Sequence, residues 1–180
     1  MAHVYLVLAL ATASQLSLTT AQEPSDVPDS FKTFENFRFA VPVFSSDKNA
    51  AFECMTSKRA WIKPAEKKGE YIWTLQGHHN TPKQTVSIYV YGGSSPDTFR
   101  FAVDSRDAPL QDAKVFFTDY EYCTVIDMAY DGHQCVLWSQ AATKDSVPQK
   151  CVDIFNEKCG EGTQLYSKVL CSEDETADWR

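Results

Sequence analysis

The sequence lacks the short motifs that mark several common protein classes. It contains no Cys-x-x-Cys pair, so neither a zinc ribbon nor a thioredoxin-like redox site is indicated. It has no Asn-x-Ser/Thr acceptor for N-glycosylation. A glycine-rich phosphate loop, a paired-acid motif and a nucleophile elbow are also missing, and the neighbouring His78 and His79 would point apart, which makes them a poor metal pair. We therefore expect a protein that is not an enzyme and that needs no metal or cofactor.

Basic charge is also scarce. The chain has 17 Lys and Arg residues against 24 Asp and Glu residues, which gives a formal net charge of −7. No basic stripe interrupts this acidic background, so nucleic acid is excluded as a partner and binding to anionic membranes is disfavoured.

Long apolar runs are absent except at the amino terminus. The run Val4–Ala11 is too short for a membrane span, which needs about 20 residues, and fits the core of a secretory signal peptide. We predict cleavage after Ala21, with Ala13 as the alternative. Residues 1–21 would then be the signal peptide, and residues 22–180 one secreted domain without a membrane span.

Six cysteines follow the predicted signal peptide. An even number in a secreted chain predicts three disulfides, although the spacing alone does not choose among the fifteen possible pairings. The six are Cys54, Cys123, Cys135, Cys151, Cys159 and Cys171.

The remaining pattern is mainly that of β-strands. A short helix is predicted at 31–37, where the phenylalanines recur at helical spacing, and a second at 147–160, which is flanked by Pro148 and Gly160. Between and around them, turn residues separate short β-favouring segments, and a last extended segment covers 164–171. This all-β pattern fits a closed antiparallel barrel or a two-sheet sandwich. The eight strands are predicted at 37–44, 51–57, 70–75, 85–91, 98–104, 113–118, 122–130 and 133–140.

The carboxyl-terminal part carries an unusual combination of motifs. Leu137-Trp138 ends a strand, Val147-Pro148-x-x-Cys151 opens the second helix, and Phe155-Asn156 lies within it. With Phe99-Arg100-Phe101 and Cys54, these residues resemble the histamine-binding lipocalins of tick saliva. The resemblance implies an eight-stranded antiparallel lipocalin barrel, with a short helix before it and a second helix packed outside. It also implies the disulfides Cys54–Cys171, Cys123–Cys151 and Cys135–Cys159.

The resemblance also suggests where a ligand would bind. If the strand cysteines face the outer helix, alternation turns Thr124, Ile126, Val136 and Trp138 into the barrel. The histamine binders carry a glutamate just before the Leu-Trp pair, where this chain has Val136. The resemblance therefore implies a pocket with the family's aromatic lining but without its carboxylates. This favours a lipid, eicosanoid or sterol over a biogenic amine such as histamine.

Further candidate ligand residues come from the other strands. The aromatic Phe99 and Phe101 are predicted to line the cavity, although they are equally typical of a packed core. Alternation about Cys54 turns Glu53 and Met55 inward, with the alternative that Glu53 sits in water at the barrel mouth. Tyr89 and Tyr91 share one face and either contact the ligand or lie on the outer surface. The complete candidate set is Glu53, Met55, Tyr89, Tyr91, Phe99, Phe101, Thr124, Ile126, Val136 and Trp138.

The expected function is sequestration of a small host mediator in saliva, which would suppress inflammation and immunity. The alternative is a lipocalin that docks on host cells or proteins through its surface. Residues 58–70, the loop at 92–96 and the acidic tail with Trp179 are the segments considered for docking.

Overall fold

The computed structural model describes residues 27–48, 50–78, 82–130 and 132–172. The predicted signal peptide, the acidic tail with Trp179, His79 and the Asp131 of the predicted hairpin turn lie outside these residues. No helix in the described ranges is long and apolar enough to cross a membrane. The described elements are α1 (Ser30–Asn36), β1 (Phe39–Ser45), β2 (Thr56–Lys63), β3 (Lys68–Leu75), β4 (Gln84–Gly92), β5 (Thr98–Val103), β6 (Gln111–Thr118), β7 (Cys123–Met128), β8 (Gln134–Gln140), α2 (Gln149–Cys159) and β9 (Thr163–Gln164).

Strands β1 to β8 form a closed antiparallel barrel, as the family resemblance implies, and not a sandwich. Each strand from β2 to β7 pairs with the next strand along the chain, and β1 pairs with both β8 and β2. The β1–β2 seam is short, with partners only at Phe39–Lys58 and Ala40–Ser57. Beyond that point β1 pairs with β9 instead. The register of β1 against β8 shifts just after Pro42, which agrees with the kink expected of a proline in a strand.

Alternation along the strands separates two cores. Ile126, Met128, Val136 and Trp138 belong to the core inside the barrel. Their neighbours Cys123, Val125, Cys135 and Leu137 belong to a second core that includes Cys151 and Phe155 of α2, outside the barrel. Cys123 and Cys135 therefore face outward as predicted.

The disulfides join Cys54 to Cys171, Cys123 to Cys151 and Cys135 to Cys159. These are the pairs that the resemblance implies. Two of them fix α2 against β7 and β8. The third fixes the segment after β9 to the turn that precedes β2. Three disulfides fit an extracellular protein, because such bonds persist in oxidising compartments.

Helix α1 closes one end of the barrel. Its amino terminus is capped by Asp29, whose Oδ1 accepts from the backbone N–H groups of Phe31 at 2.9 Å and Lys32 at 3.0 Å. At its other end, the Arg59 guanidinium donates to the carbonyl oxygens of Phe34 at 2.6 Å and Glu35 at 2.7 Å. The opposite end is the mouth, where the β1–β2, β3–β4, β5–β6 and β7–β8 connections lie.

Two predicted segments are wrong in their bounds. The second strand, expected at 51–57, begins only at Thr56, because a 3-10 turn covers Ala50–Phe52 and Cys54 has a left-handed backbone with φ of 56°. It then runs to Lys63, so much of the proposed docking segment 58–70 is barrel strand. The last segment, expected to be extended over 164–171, pairs only at Thr163–Gln164 and then turns to bring Cys171 to Cys54.

Candidate functional site

The interior of the barrel contains a small cavity. Its volume is about 60 Å³. For comparison, an engineered protein cavity of about 150 Å³ holds one benzene molecule, and pockets for drug-sized ligands measure roughly 300–1,000 Å³. The interior is therefore nearly filled in this conformation. The lining residues are Thr33, Phe34, Phe37, Ala40, Ser57, Tyr71, Trp73, Ile88, Val90, Phe99, Phe101, Thr124, Ile126, Met128 and Trp138.

At the deep end, the cavity wall is completed by α1. The Phe34 ring packs edge-on to Phe99, with 4.9 Å between ring centroids. The Tyr71 hydroxyl lies 2.9 Å from the carbonyl oxygen of Phe34 and 3.0 Å from that of Phe37, so it ties the barrel wall to the helix. Burial raises the pKa of Tyr71 well above its usual value, which keeps this hydroxyl protonated and able to donate.

At the mouth, a cluster of three aromatic rings covers the cavity. Phe52, from the turn between β1 and β2, lies 5.5 Å from the Trp73 ring and 5.4 Å from the Tyr130 ring. Trp73 and Tyr130 are themselves 5.4 Å apart. We call Phe52, Trp73 and Tyr130 the mouth cluster. Only Trp73 belongs to a barrel strand, and the other two side chains are carried by connections.

Two polar atoms are buried inside the barrel with no hydrogen-bond partner among the described residues. One is Nε1 of Trp138, and the other is Oε1 of Gln134. Trp138 lines the cavity, and Gln134 lies two residues before Val136 on the inner face of β8, paired with cavity-lining Met128. Such orphaned groups are rare in folded proteins and require an explanation.

A third buried polar atom without a hydrogen bond among the described residues, Oδ1 of Asp127, belongs to the outer face of the barrel. It lies 2.9 Å from Nε2 of His133, an ion pair when that histidine is protonated. Burial raises the pKa of the Asp127 carboxyl, and the charge of His133 acts in the opposite direction. This group does not contribute to the cavity.

No carboxylate or ammonium group lines the cavity within the described ranges. Val136, at the position where the histamine binders have a glutamate, is fully buried in the inner core but does not line the cavity, contrary to the prediction. Met55 is also inside the barrel but does not reach the cavity. Glu53, for which the sequence left open an inward position or a position at the mouth, lies in the β1–β2 connection at the mouth, with its carboxylate 3.4 Å from Nδ1 of His78. Simple alternation fails at Glu53 because Cys54 has a left-handed backbone.

The prediction that Tyr89 and Tyr91 contact a ligand is wrong. Both alternate with Ile88 and Val90, which line the cavity, so the two tyrosines face outward. The Arg106 guanidinium lies 5.2 Å from the centre of the Tyr89 ring. The sequence could have indicated which face of β4 turns inward, because Val86, Ile88 and Val90 alternate with the two tyrosines.

Other predicted residues do line the cavity, and some lining residues were missed. Phe99, Phe101, Thr124, Ile126 and Trp138 are on the cavity wall. The lining residues Phe34, Tyr71 and Trp73 were not predicted, and neither was the buried Gln134, which does not itself line the cavity. Alternation of side chains in β3 could have indicated that Tyr71 and Trp73 face inward. Gln134 is four residues before Trp138 on the same strand, so it could have been expected on the same face.

Groups of ligand-type side chains occur twice in the described ranges, outside the cavity. Glu53 and His78 lie near the sulfur of Cys54, and Asp119 lies near those of Cys123 and Cys151. All three sulfurs are in disulfides, so none is available as a thiolate ligand.

Comparison with known protein families identifies the chain. Residues 26–173 match the family described as tick histamine binding protein. The chain belongs to the tick histamine-binding protein family. Comparison with curated proteins gives no match.

Solved structures similar to this tick histamine-binding family member have the lipocalin barrel. The AM182 serotonin complex has 13% identity and a TM-score of 0.57, over 78% of this chain and 90% of that one. Apocrustacyanin C1 has 10% identity and a TM-score of 0.57, over 84% and 96%. Lobster apocrustacyanin A1 has 10% identity and a TM-score of 0.52, over 78% and 90%. At these identities the likeness establishes the fold alone.

Proposed function

We propose that this protein binds one small molecule inside its barrel and sequesters it from the host during tick feeding. The observation that carries the proposal is a pair of buried interior atoms that have no hydrogen-bond partner among the described residues, Nε1 of Trp138 and Oε1 of Gln134. A core that served stability alone would leave neither atom unpaired, because each costs about 1–3 kcal/mol when buried without a partner. A bound guest removes that cost. Membership of the tick histamine-binding family supports the same function.

A guest with a ring or a chain exceeds the cavity of about 60 Å³, so side chains must move on binding. Phe52 is the side chain best placed to do so, because it comes from a connection while Trp73 is held in a strand. Its departure would join the cavity to the mouth.

The lining favours an uncharged or largely apolar guest, such as a lipid, eicosanoid or sterol. Apolar burial contributes about 25 cal/mol per Å² of surface removed from water. An amine would bring a positive charge to a wall where no described carboxylate receives it, and burying an unpaired charge is costly. Histamine and serotonin are therefore the less favoured guests.

The mechanism is mass action, without chemical turnover. The disulfides restrict the unfolded chain and hold the barrel walls in place before the guest arrives, so little ordering cost is added on binding. Sequestration then requires only that the protein be secreted in excess of the mediator.

Mass spectrometry of guests retained after incubation with host plasma tests the proposal. The repurified protein should contain one compound in stoichiometric amount, and the Trp138→Ala variant should retain less of that compound. An empty protein that also fails to displace a fluorescent fatty acid, a sterol probe, histamine or serotonin would contradict it.

Docking on a host protein is a second candidate, favoured by one feature of the outer surface. The Arg106 guanidinium lies 5.6 Å from the Trp61 ring and 5.2 Å from the Tyr89 ring. Tryptophan, tyrosine and arginine are the residues enriched at binding hot spots. If docking is the function, Arg106→Ala should abolish binding to host cells while leaving the guest content unchanged.

A further inference from the structure

The inner face of β8 presents two polar groups at different depths. Gln134 begins the strand at the mouth, Trp138 lies near its far end, and the fully buried Val136 separates them. Four residues of extended strand place their Cα atoms roughly 13 Å apart. Gln134 is 2% exposed and Trp138 is 4% exposed, so water reaches neither freely.

These two atoms, which have no partner in the described part of the chain, differ in hydrogen-bonding character. The indole Nε1–H of Trp138 can only donate, and Oε1 of Gln134 can only accept. A complementary guest would carry an acceptor at its deep end and a donor near the mouth.

No charged side chain lines the cavity among the residues that the structure describes. Two acids on neighbouring elements face other groups, since Glu53 lies against His78, and Asp127 against His133 on the outer surface. The residue paired with Gln134 across the sheet is Met128, and the residue paired with Trp138 is Thr124, whose hydroxyl donates to the carbonyl of Phe117 at 2.9 Å.

We infer that β8 selects an uncharged guest by two-point hydrogen bonding, with Trp138 anchoring its acceptor and Gln134 its donor. Gln134 is the residue that sets this selectivity, because an amide oxygen accepts from a neutral hydroxyl or amide without compensating a full positive charge. The inference rests on the proposed binding of a guest inside the barrel.

Matched probes test the selectivity. Serotonin, N-acetylserotonin and 5-hydroxyindole-3-acetate share one ring and carry positive, zero and negative charge at neutral pH. A fatty amine, fatty alcohol and fatty acid of one chain length form a second series, which has a single polar end and tests the preference for a neutral group at Gln134 alone. Calorimetry should show the neutral member binding about tenfold more tightly than either charged member of its series.

Gln134→Glu adds a carboxylate in nearly the same volume. It should reverse the preference, so that serotonin binds more tightly than N-acetylserotonin. Gln140→Glu, at the other end of the same strand, is the matched control for net charge and should leave the order unchanged. If Gln134→Glu does not fold, Gln134→Leu serves instead and should weaken the neutral probe by about fivefold or more.

The outcomes separate this inference from the proposed function. A charged probe that binds most tightly, or an unchanged order in Gln134→Glu, overturns the inference. Unchanged affinities in Gln134→Leu and Trp138→Phe would mean that ordered water alone satisfies the two atoms, which also overturns it. If no probe binds but plasma supplies a guest, the formal charge of that guest tests the inference. A neutral guest supports it, and a charged guest overturns it. No probe and no plasma guest would defeat the proposed function itself.

Discussion

At the scale of single residues, the barrel interior is uncharged, and its polar groups among the described residues are neutral. Val136 places an apolar side chain in the inner core where the histamine binders have a glutamate, and Gln134 and Trp138 contribute polarity without charge. The parity of β7 and β8 could be read from the sequence because Cys123 and Cys135 must face the outer helix. The failure at Glu53 has an equally local cause, the positive φ of Cys54, which alternation cannot anticipate.

The charge of Asp97 stabilises the folded state through two partners. Its carboxylate accepts from the Ser95 hydroxyl at 2.5 Å and lies 3.2 Å from the Lys114 ammonium. The hydrogen bond from Ser95, followed by the bond and charge of Lys114, lowers the pKa of Asp97 despite its burial.

Because that pKa is lowered in the folded state, the stabilisation is present above the unfolded value of about 3.9 and is lost as pH falls through the folded value. Asp97→Asn should therefore lower the free energy of unfolding at neutral pH by about 1–2 kcal/mol, and by progressively less as the pH falls below the unfolded pKa. Urea denaturation over a series of pH values from neutral to acid checks this. A loss that stays the same across the series would show that the charge of Asp97 is not what stabilises the fold.

At the scale of elements, strands were easier to predict than their connections. Strands β3 to β8 lie within two residues of their predicted bounds, since each combines β-favouring side chains with clear turn residues at its ends. The segment before β2 was predicted to be a strand because it contains hydrophobic residues, but these residues pack from a turn. Phe52 fills the barrel mouth from a 3-10 turn, and Cys54 bonds to the carboxyl-terminal segment.

The mouth cluster gives a kinetic prediction. Removing the Phe52 ring should open the mouth, so Phe52→Ala should accelerate guest association several-fold, at a cost in stability of up to about 3–5 kcal/mol. Stopped-flow tryptophan fluorescence with a neutral probe measures the rate. Phe44→Ala is the control, because Phe44 stacks on Phe155 in the outer core, 6.0 Å between ring centroids. Equal rates in both variants and the unmodified protein would show that Phe52 does not obstruct entry.

At the scale of the whole molecule, the barrel depends on an unusual closure. Only two residue pairs join β1 to β2, and the rest of that seam is covered by Leu165, by Met55 and by the Cys54–Cys171 disulfide. The backbone N–H of Cys54 donates to the carbonyl of Leu165 at 2.9 Å, and that of Leu165 donates to Val43 at 2.8 Å. Strand spacing alone could not reveal this closure, because it arises from contacts distant in sequence and is equally compatible with a sandwich.

The disulfides should therefore differ in their contribution to stability. Cys54 and Cys171 are 117 residues apart, whereas Cys135 and Cys159 are 24 apart. Loop-closure entropy gives about 4.9 kcal/mol for the longer loop and about 3.5 kcal/mol for the shorter. Replacing Cys54 and Cys171 by serine should thus destabilise the protein more than the same change at Cys135 and Cys159. Denaturation under non-reducing conditions compares the two, and the reverse order would contradict this account of the seam.

The most direct measurement of the central claim is the indole N–H spectrum of ¹⁵N-labelled protein before and after incubation with host plasma and repurification. The Trp138 N–H has no partner among the described residues, while the Trp61 N–H on the outer surface donates to Glu70 at 2.7 Å. A guest inside the barrel should shift the Trp138 resonance and leave that of Trp61 in place. A spectrum in which Trp138 does not move, or in which Trp61 moves instead, would contradict binding in the barrel.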